Sequence, residues 1–468
     1  MLLNNVEFDI SSTKSRICHP DKAQRRGISK NAGNVILSKA KDLKQHVSHA
    51  FEMTSMRQFS IICYIKLTSN TNFRKNRHKM QKTTISSANF ADTKPHYALL
   101  DGLRGVAAIL VVFYHIFEGF SFAEATNGAG SGLITTLNHG HIAVDFFFIL
   151  SGFVISYAYD DRWNKMSTWQ FFKRRLIRLH PMLIMGAIIG FLAFTFVGFE
   201  RWDGSTAPTG WVMTALLLTM FMIPAVPGVP YEVRGNGEMF PLNGPGWSLF
   251  FEYIGNILYA LFIRRMSTKI LAAFTVLLGI AHAWFFIWNV SGYDMVGVGW
   301  TIDEVNFWGG LVRMLFPFSM GMLLARTFKP RKIKGAFYIC SIALVVLFAV
   351  PYIASTGNIS MNSLYEYVCI TALFPLIVWI GACGDGGKGF TAKAYRVLGD
   401  ISYPLYIVHY PIMYIFYAWL IKKEFYTLQD CIGVAALVVI SSILLAYLCL
   451  KLYDEPVRRW LGRKFIKR

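Results

Sequence analysis

Arg104 and His115 are ionisable residues in one long apolar stretch of the sequence. Eleven positions separate them. That is close to three turns of an α-helix, so both side chains lie on one face, about 16 Å apart along the axis. If the helix crosses a membrane, Arg104 is near one interface and His115 is near the centre of a hydrocarbon core about 30 Å thick. An imidazole suits proton removal from a hydroxyl, and a fixed guanidinium suits a phosphate or carboxylate. The alternative is structural: an interfacial arginine and a histidine hydrogen-bonded between helices.

The next apolar stretch carries His141 and Asp145, which are four residues apart and share a helical face. A carboxylate among phenylalanines must be paired or protonated, so Asp145 is predicted to pair with Arg104 or to orient a histidine. The Ser151-Gly152 pair farther along is more typical of close helix packing than of catalysis.

A basic segment containing Arg174, Arg175 and Arg178 follows the second stretch. Such a cluster usually determines topology and contacts lipid headgroups. The sharper hypothesis is a binding site for the phosphates of a nucleotide-bearing cofactor.

Two later stretches carry polar residues at helical spacing. Ser248, Glu252 and Asn256 form a stripe that must face protein or a wet cavity, and Arg313 is its predicted counter-ion. On another stretch His409 lies seven residues after Ser402, on the same face.

The composition indicates a polytopic membrane protein. Of 468 residues, 54% are hydrophobic and only 16% charged, and the mean hydropathy is +0.40. Apolar runs of about 20 residues recur from residue 103 onward. The net charge of +20 does not indicate nucleic-acid binding, because the basic residues cluster in the N-terminal segment and in short loops. The seven cysteines lack metal-ligand spacing, so neither a metal site nor a disulfide framework is predicted.

The predicted architecture is an all-α integral membrane protein with three parts. Residues 1–96 are a basic, disordered extension with a possible true start at Met80; residues 97–460 are the membrane domain; residues 461–468 are a basic cytoplasmic tail. Ten crossings are expected at about 103–122, 140–158, 180–198, 246–263, 269–290, 307–325, 335–353, 364–383, 401–421 and 430–450. The shorter run 211–226 is predicted to be re-entrant or interfacial, because the positive-inside rule then puts both termini in the cytoplasm.

Five motifs in this order resemble the acyltransferase-3 family of multi-pass membrane O-acyltransferases. They are Leu100-Asp101-Gly102-Leu103-Arg104-Gly105 with His115; Val144-Asp145-Phe146-Phe147-Phe148-Ile149-Leu150-Ser151-Gly152-Phe153; Arg174-Arg175-Leu176-Ile177-Arg178-Leu179-His180-Pro181; Trp247-Ser248-Leu249-Phe250-Phe251-Glu252; and Leu398-Gly399-Asp400-Ile401-Ser402-Tyr403-Pro404-Leu405-Tyr406 with His409. The resemblance covers about residues 97–460. It implies transfer of an acyl group, usually acetyl, from cytoplasmic acyl-coenzyme A to a hydroxyl of a cell-envelope glycan. The chain is similar to the stand-alone type without a fused esterase-like domain. It departs from the family in its long N-terminus and in His180.

The resulting hypothesis is a multi-pass O-acetyltransferase of a bacterial inner membrane. Its predicted catalytic residues are His115, Asp145 and Glu252, with His115 as general base or transient acyl carrier. Predicted donor-binding residues are Arg104, Arg174, Arg175 and Arg178, and predicted acceptor-binding residues are Trp247, Ser248 and His409. The alternative is a proton-coupled secondary transporter with Asp145, Glu252 and His115 as relay groups, which internal inverted repeats would support. No such repeats are seen in the sequence.

Overall fold

The structure is a computed structural model that describes residues 97–129, 138–355, 359–384 and 389–466. The predictions for residues 1–96, including a start at Met80, lie outside this part. Eleven helices make up the described chain: α1 Ala98–Thr126, α2 His139–Tyr159, α3 Thr168–Phe196, α4 Thr209–Met220, α5 Gly246–Arg265, α6 Thr268–Ile287, α7 Glu304–Thr327, α8 Ala336–Ala349, α9 Met361–Ala382, α10 Gly389–Lys423 and α11 Leu428–Phe465. Only isolated β-bridges accompany them in the described residues.

The all-α membrane class is confirmed. Nine of the described helices are long and apolar enough to cross a membrane. Helix α4 has 12 residues, a length of about 18 Å, which is too short to span. This length agrees with the prediction that 211–226 does not cross as a helix.

The predicted crossing at 335–353 is shorter than expected as a helix. Helix α8 has 14 residues, because Gly335 precedes it with a φ of +70° and Val350 turns extended before Pro351. Nevertheless the segment joins both ends of the bundle. The Ile333 amide donates to the Cys383 carbonyl at 2.9 Å near the start of α1, and Pro351 forms a bridge with Asn138 before α2. Extended residues complete the distance that the helix does not cover.

Helices α1 and α10 approach closely enough for backbone contact. A Cβ atom at Gly105 would lie 2.2 Å from the Leu398 carbonyl oxygen, and one at Gly102 would lie 2.2 Å from Cβ of Tyr395. Real side chains do not tolerate such distances, so only glycine permits this crossing. The two glycines that flank Arg104 therefore bring its side chain against α10.

The two ends of the bundle differ in charge and contacts. At the N-terminal end of α1, the guanidinium of Arg326 donates to Asp160 and to the Met266 carbonyl, each at 2.7 Å. At the C-terminal end, the ring of Phe122 contacts Trp202, and the Trp202 amide donates to the Arg234 carbonyl at 3.2 Å. The loops around residues 201–237 thus lie at the end opposite Arg104.

Candidate active site

A polar cavity of about 230 Å³ opens between α1, α2, α3, α5, α10 and α11. Four arginines contribute to its wall: Arg104, Arg175, Arg178 and Arg458. Polar side chains of α2, α5 and α10 complete it, among them Ser151, Ser248, Glu252, Ser402 and Tyr406. Four carboxylates line the same wall, and three of the arginines pair with them: Arg104 with Asp101, Arg175 with Glu252, and Arg458 with Asp454. Among the described residues Arg178 has no ion pair, so it is the cation of this wall that is left to bind an anion.

Arg104 is held in place from two helices. Its Nε atom donates to Ser402 Oγ at 2.8 Å, and its Nη2 atom is 2.9 Å from Oδ1 of Asp101 and 3.5 Å from the Gly399 carbonyl. Its side chain keeps 24% of its surface exposed. The guanidinium is therefore oriented by protein contacts and still accessible from the cavity.

Glu252 is the centre of a second polar group on the cavity wall. Its Oε1 atom accepts a hydrogen bond from Arg175 at 2.6 Å and another from Ser151 at 2.8 Å. The prediction that Arg313 is the counter-ion of Glu252 is wrong, because Glu252 pairs with Arg175. The Nε atom of Arg175 is buried and has no partner among the described residues.

Ser151 and Gly152 have different surroundings in the structure. A Cβ at Gly152 would lie 1.9 Å from the Phe318 carbonyl oxygen, so this glycine permits contact between α2 and α7 as expected. Ser151, however, lines the cavity and donates to Glu252. Packing alone does not account for the pair.

The three-arginine patch does not act as one surface. Arg175 and Arg178 line the polar cavity, whereas Arg174 lies in a separate depression beside Lys173 and Lys464. Neighbouring residues of a helix point about 100° apart, so one helix cannot direct all three into one site. The sequence also missed Arg458, which reaches the cavity because α11 continues through a π-turn at Leu450–Asp454 instead of ending near residue 450.

Asp145 has a structural partner. Both of its oxygens accept hydrogen bonds from Arg313, at 2.9 to 3.2 Å. Asp145 is 0% and Arg313 2% exposed, and Arg313 also donates to the carbonyls of Val298 and His141. The predictions that Asp145 pairs with Arg104 or orients a histidine are therefore wrong, and this carboxylate does not line the cavity.

His115 forms a pair with Glu118, a residue that the sequence analysis left without a role. Nδ1 of the imidazole lies 2.6 Å from Oε2 of Glu118, and Tyr417 donates to the same carboxylate oxygen at 2.8 Å. Glu118 comes one turn after His115 on the same face, so the i,i+3 spacing was a readable signal. A proton on Nδ1 leaves the lone pair on Nε2, for which the described residues provide no hydrogen-bond partner. This is the arrangement of a carboxylate-oriented general base.

The cavity and the histidine are separated by aromatic residues of α10. Tyr406 lines the cavity and shares a 2.6 Å hydrogen bond with Ser248. The His409 ring lies 6.0 Å from that of Tyr406 and 5.3 Å from that of His115. Nδ1 of His409 donates to the Leu405 carbonyl, and its buried Nε2 has no partner among the described residues. Ser248 and His409 thus lie on the route from cavity to base.

Trp247 lies elsewhere. Its ring packs against the Arg313 guanidinium, with the centroid 5.0 Å from Cζ, and against Gly299. It does not line the cavity, so its predicted contact with the acceptor has no support in this geometry.

Comparison with known proteins identifies the family. A family model described as an acyltransferase domain matches residues 97–451, about three quarters of the chain. The chain belongs to the acyltransferase-3 family. This membership confirms an O-acyltransferase and favours the enzyme over the transporter. No solved structure matches the chain.

Several relatives of this acyltransferase are curated. It is 31% identical to protein 2 in the picA locus of Rhizobium radiobacter over 40% of this chain and 96% of that protein. It is 27% identical to the acyltransferase MdmB of Streptomyces mycarofaciens, over 78% of this chain and 92% of MdmB. It is 24% identical to the peptidoglycan O-acetyltransferase OatA of Listeria monocytogenes, over 81% of this chain but only 58% of OatA.

Proposed function

We propose that this acyltransferase moves an acetyl group from acetyl-coenzyme A to a hydroxyl of a cell-envelope glycan. The observation that carries the proposal is the arginine-lined cavity, with Tyr406 and His409 packed between it and the His115–Glu118 pair. Coenzyme A is a polyanion whose phosphates suit guanidinium groups. The name of OatA, a peptidoglycan O-acetyltransferase, supports acetyl and a glycan as the transferred group and the acceptor.

The cavity end of the bundle is proposed to face the cytoplasm of a bacterial inner-membrane protein. The basic residues around 173–178, 264–265 and 326–334 are at this end, as the positive-inside rule expects. Coenzyme A is too highly charged to cross lipid, so the donor binds from that side and the glycan hydroxyl approaches from the other.

In the proposed reaction, Nε2 of His115 removes the proton of the acceptor hydroxyl. The resulting oxygen attacks the thioester carbonyl, the carbon–sulfur bond breaks, and the imidazolium returns its proton to the departing thiolate. The products are the acetyl ester and free coenzyme A. Glu118 fixes the tautomer and stabilises the imidazolium, because its carboxylate contacts Nδ1. Arg104, Arg175 and Arg178 bind the donor.

The test is acetyl transfer by protein purified in lipid nanodiscs, with radiolabelled acetyl-coenzyme A and the saccharide fraction of the host's cell envelope. Wild type should acetylate the fraction. His115→Ala should fold and purify normally yet lose about 10²–10⁴-fold in rate, and His115→Gln should recover little of it. Activity of His115→Gln within a few-fold of wild type would reject His115 as the base. Absence of transfer by wild type would reject the function.

A further inference from the structure

A second polar concavity lies at the C-terminal end of α1, opposite the cavity. It is formed by residues 227–237 and 293–303, with Arg201 at its edge, and we call it the loop groove. The Met239 amide donates to the Trp300 carbonyl at 2.9 Å, and Glu238 forms a β-bridge with Thr301. The two segments that form the groove are therefore joined by backbone hydrogen bonds.

Three polar groups in the groove lack partners among the described residues. They are Oγ1 of Thr301, whose residue is only 4% exposed, Oδ1 of Asn236 and Nε of Arg201, all buried atoms. A buried polar group without a partner is costly, so a ligand that supplies hydrogen bonds here would lower that cost.

The three groups differ in what they require. Arg201 Nε can only donate and Asn236 Oδ1 can only accept, and the amide orientation is fixed because Asn236 Nδ2 donates to Glu238 at 2.8 Å. A fully ionised anion such as sulfate would satisfy Arg201 and leave Asn236 unpaired, because it has no hydrogen to donate. Hydroxyl groups both donate and accept, so a hydroxyl-rich ligand satisfies both.

Other residues of the loop groove are also suited to a hydroxyl-rich ligand. The rings of Tyr293 and Trp300 lie 6.5 Å apart at 80° and offer apolar faces for a sugar ring. The carboxylates of Glu232 and Asp303 already accept backbone amides, of Gly235 and Asn306 respectively. These carboxylates keep further acceptor capacity, and sugar hydroxyls can donate to them.

A line of contacts joins the loop groove to the candidate base. Glu238, which holds Asn236, accepts a hydrogen bond from the Tyr414 hydroxyl. The Tyr414 ring lies 4.7 Å from that of Tyr410, and the Tyr410 ring lies 4.8 Å from that of His115. We propose that the loop groove binds the hydroxyl-rich sugar acceptor and directs it toward His115. This inference rests on the proposed function for its acyl-transfer step.

Thr301→Val is the sharpest test, because valine keeps the shape and removes a hydroxyl that no protein group uses. It should leave the thermal midpoint unchanged and raise the apparent acceptor KM about fivefold, and Arg201→Ala should raise it about tenfold. The KM for acetyl-coenzyme A should stay the same in both. Thr209→Val, at an exposed site outside the groove, is the matched control and should behave as wild type.

Binding without turnover separates this inference from the proposed function. Titration of the purified protein with the envelope saccharide fraction should give a saturable change in tryptophan fluorescence. Thr301→Val and Arg201→Ala should weaken it by the same factors, and inorganic sulfate should not displace the sugar. Unchanged saccharide binding in both variants would overturn the groove assignment, and displacement by sulfate would overturn the ligand class. Normal saccharide binding without any acetyl transfer would reject only the function proposed above.

Discussion

Glu118 lies one turn beyond His115 in α1, and its Oε2 atom is 2.6 Å from Nδ1 of the imidazole. If this pair is the base of the reaction, Glu118→Gln should lower kcat by about 10²–10⁴-fold, because the amide cannot stabilise the imidazolium. The KM for acetyl-coenzyme A should not change. Steady-state transfer at matched protein levels measures both values, and Glu124→Gln, two turns later in α1, is the control. Full activity of Glu118→Gln would show that the carboxylate only packs.

Arg178 and Arg174 are one turn apart in α3, and only Arg178 lines the polar cavity. Arg178→Ala should therefore raise the KM for acetyl-coenzyme A about tenfold, through loss of a charge-assisted hydrogen bond. Arg174→Ala removes the same charge from the same patch and should leave that KM unchanged. Equal effects of the two substitutions would mean that the patch attracts the donor by net charge alone.

Asp145→Asn should affect folding more than chemistry. It leaves the buried guanidinium of Arg313 without its counter-ion, which costs about 3–5 kcal/mol when one partner of such a pair is removed. Thermal unfolding in detergent should show the loss. The double variant Asp145→Leu, Arg313→Met should recover most of it, although the Val298 and His141 carbonyls stay without their donor. If the Asp145→Asn variant is stable but inactive, the result would instead support a catalytic role for Asp145.

Glu238 makes stability depend on pH. Burial raises the pKa of this loop carboxyl from 4.5 to about 7, against the opposing effects of Tyr414, Asn236 and Arg234. Between pH 4.5 and about pH 7, the folded protein therefore keeps a proton on Glu238 that the unfolded chain releases. The associated stability is present below pH 4.5 and is lost as the pH rises to about 7, up to about 3 kcal/mol in total.

The thermal midpoint should accordingly decrease as the pH is raised from 5 to 8. Glu238→Gln should make the midpoint less dependent on pH. Glu304→Gln, at the exposed start of α7, is the control and should keep the wild-type slope. An unchanged slope in Glu238→Gln would place the titrating group elsewhere.

The length of the apolar runs predicted most of the membrane helices, because a helix in lipid satisfies its own backbone and its length is set by the bilayer. Helix α8 was predicted too long, since hydropathy continues past residue 349 while Pro351 restricts the backbone before it. Likewise the end of α11 was missed, because a polar, basic sequence resembles a tail even where the helix continues.

Ion pairs between distant helices were the least predictable part of the site. Five of the residues selected from the sequence for chemistry line one cavity in the structure: Arg104, Arg175, Arg178, Ser248 and Glu252. Which carboxylate each arginine meets depends on helix rotation and neighbour order, which one sequence does not contain. Both mistaken partners, of Asp145 and of Glu252, arose in this way. The roles of the selected residues remain predictions.

Arg104 and His115 are fixed on one continuous helix, so their separation of about 16 Å along the axis cannot adjust to the substrate. This distance limits which donors fit the proposed reaction. A donor whose phosphates bind at Arg104 and whose carbonyl reaches His115, as proposed, must carry its acyl group at the end of a long, narrow arm. Acetyl phosphate, in which the acyl group and the phosphate share an oxygen, is too short to occupy both positions, whatever its chemical reactivity.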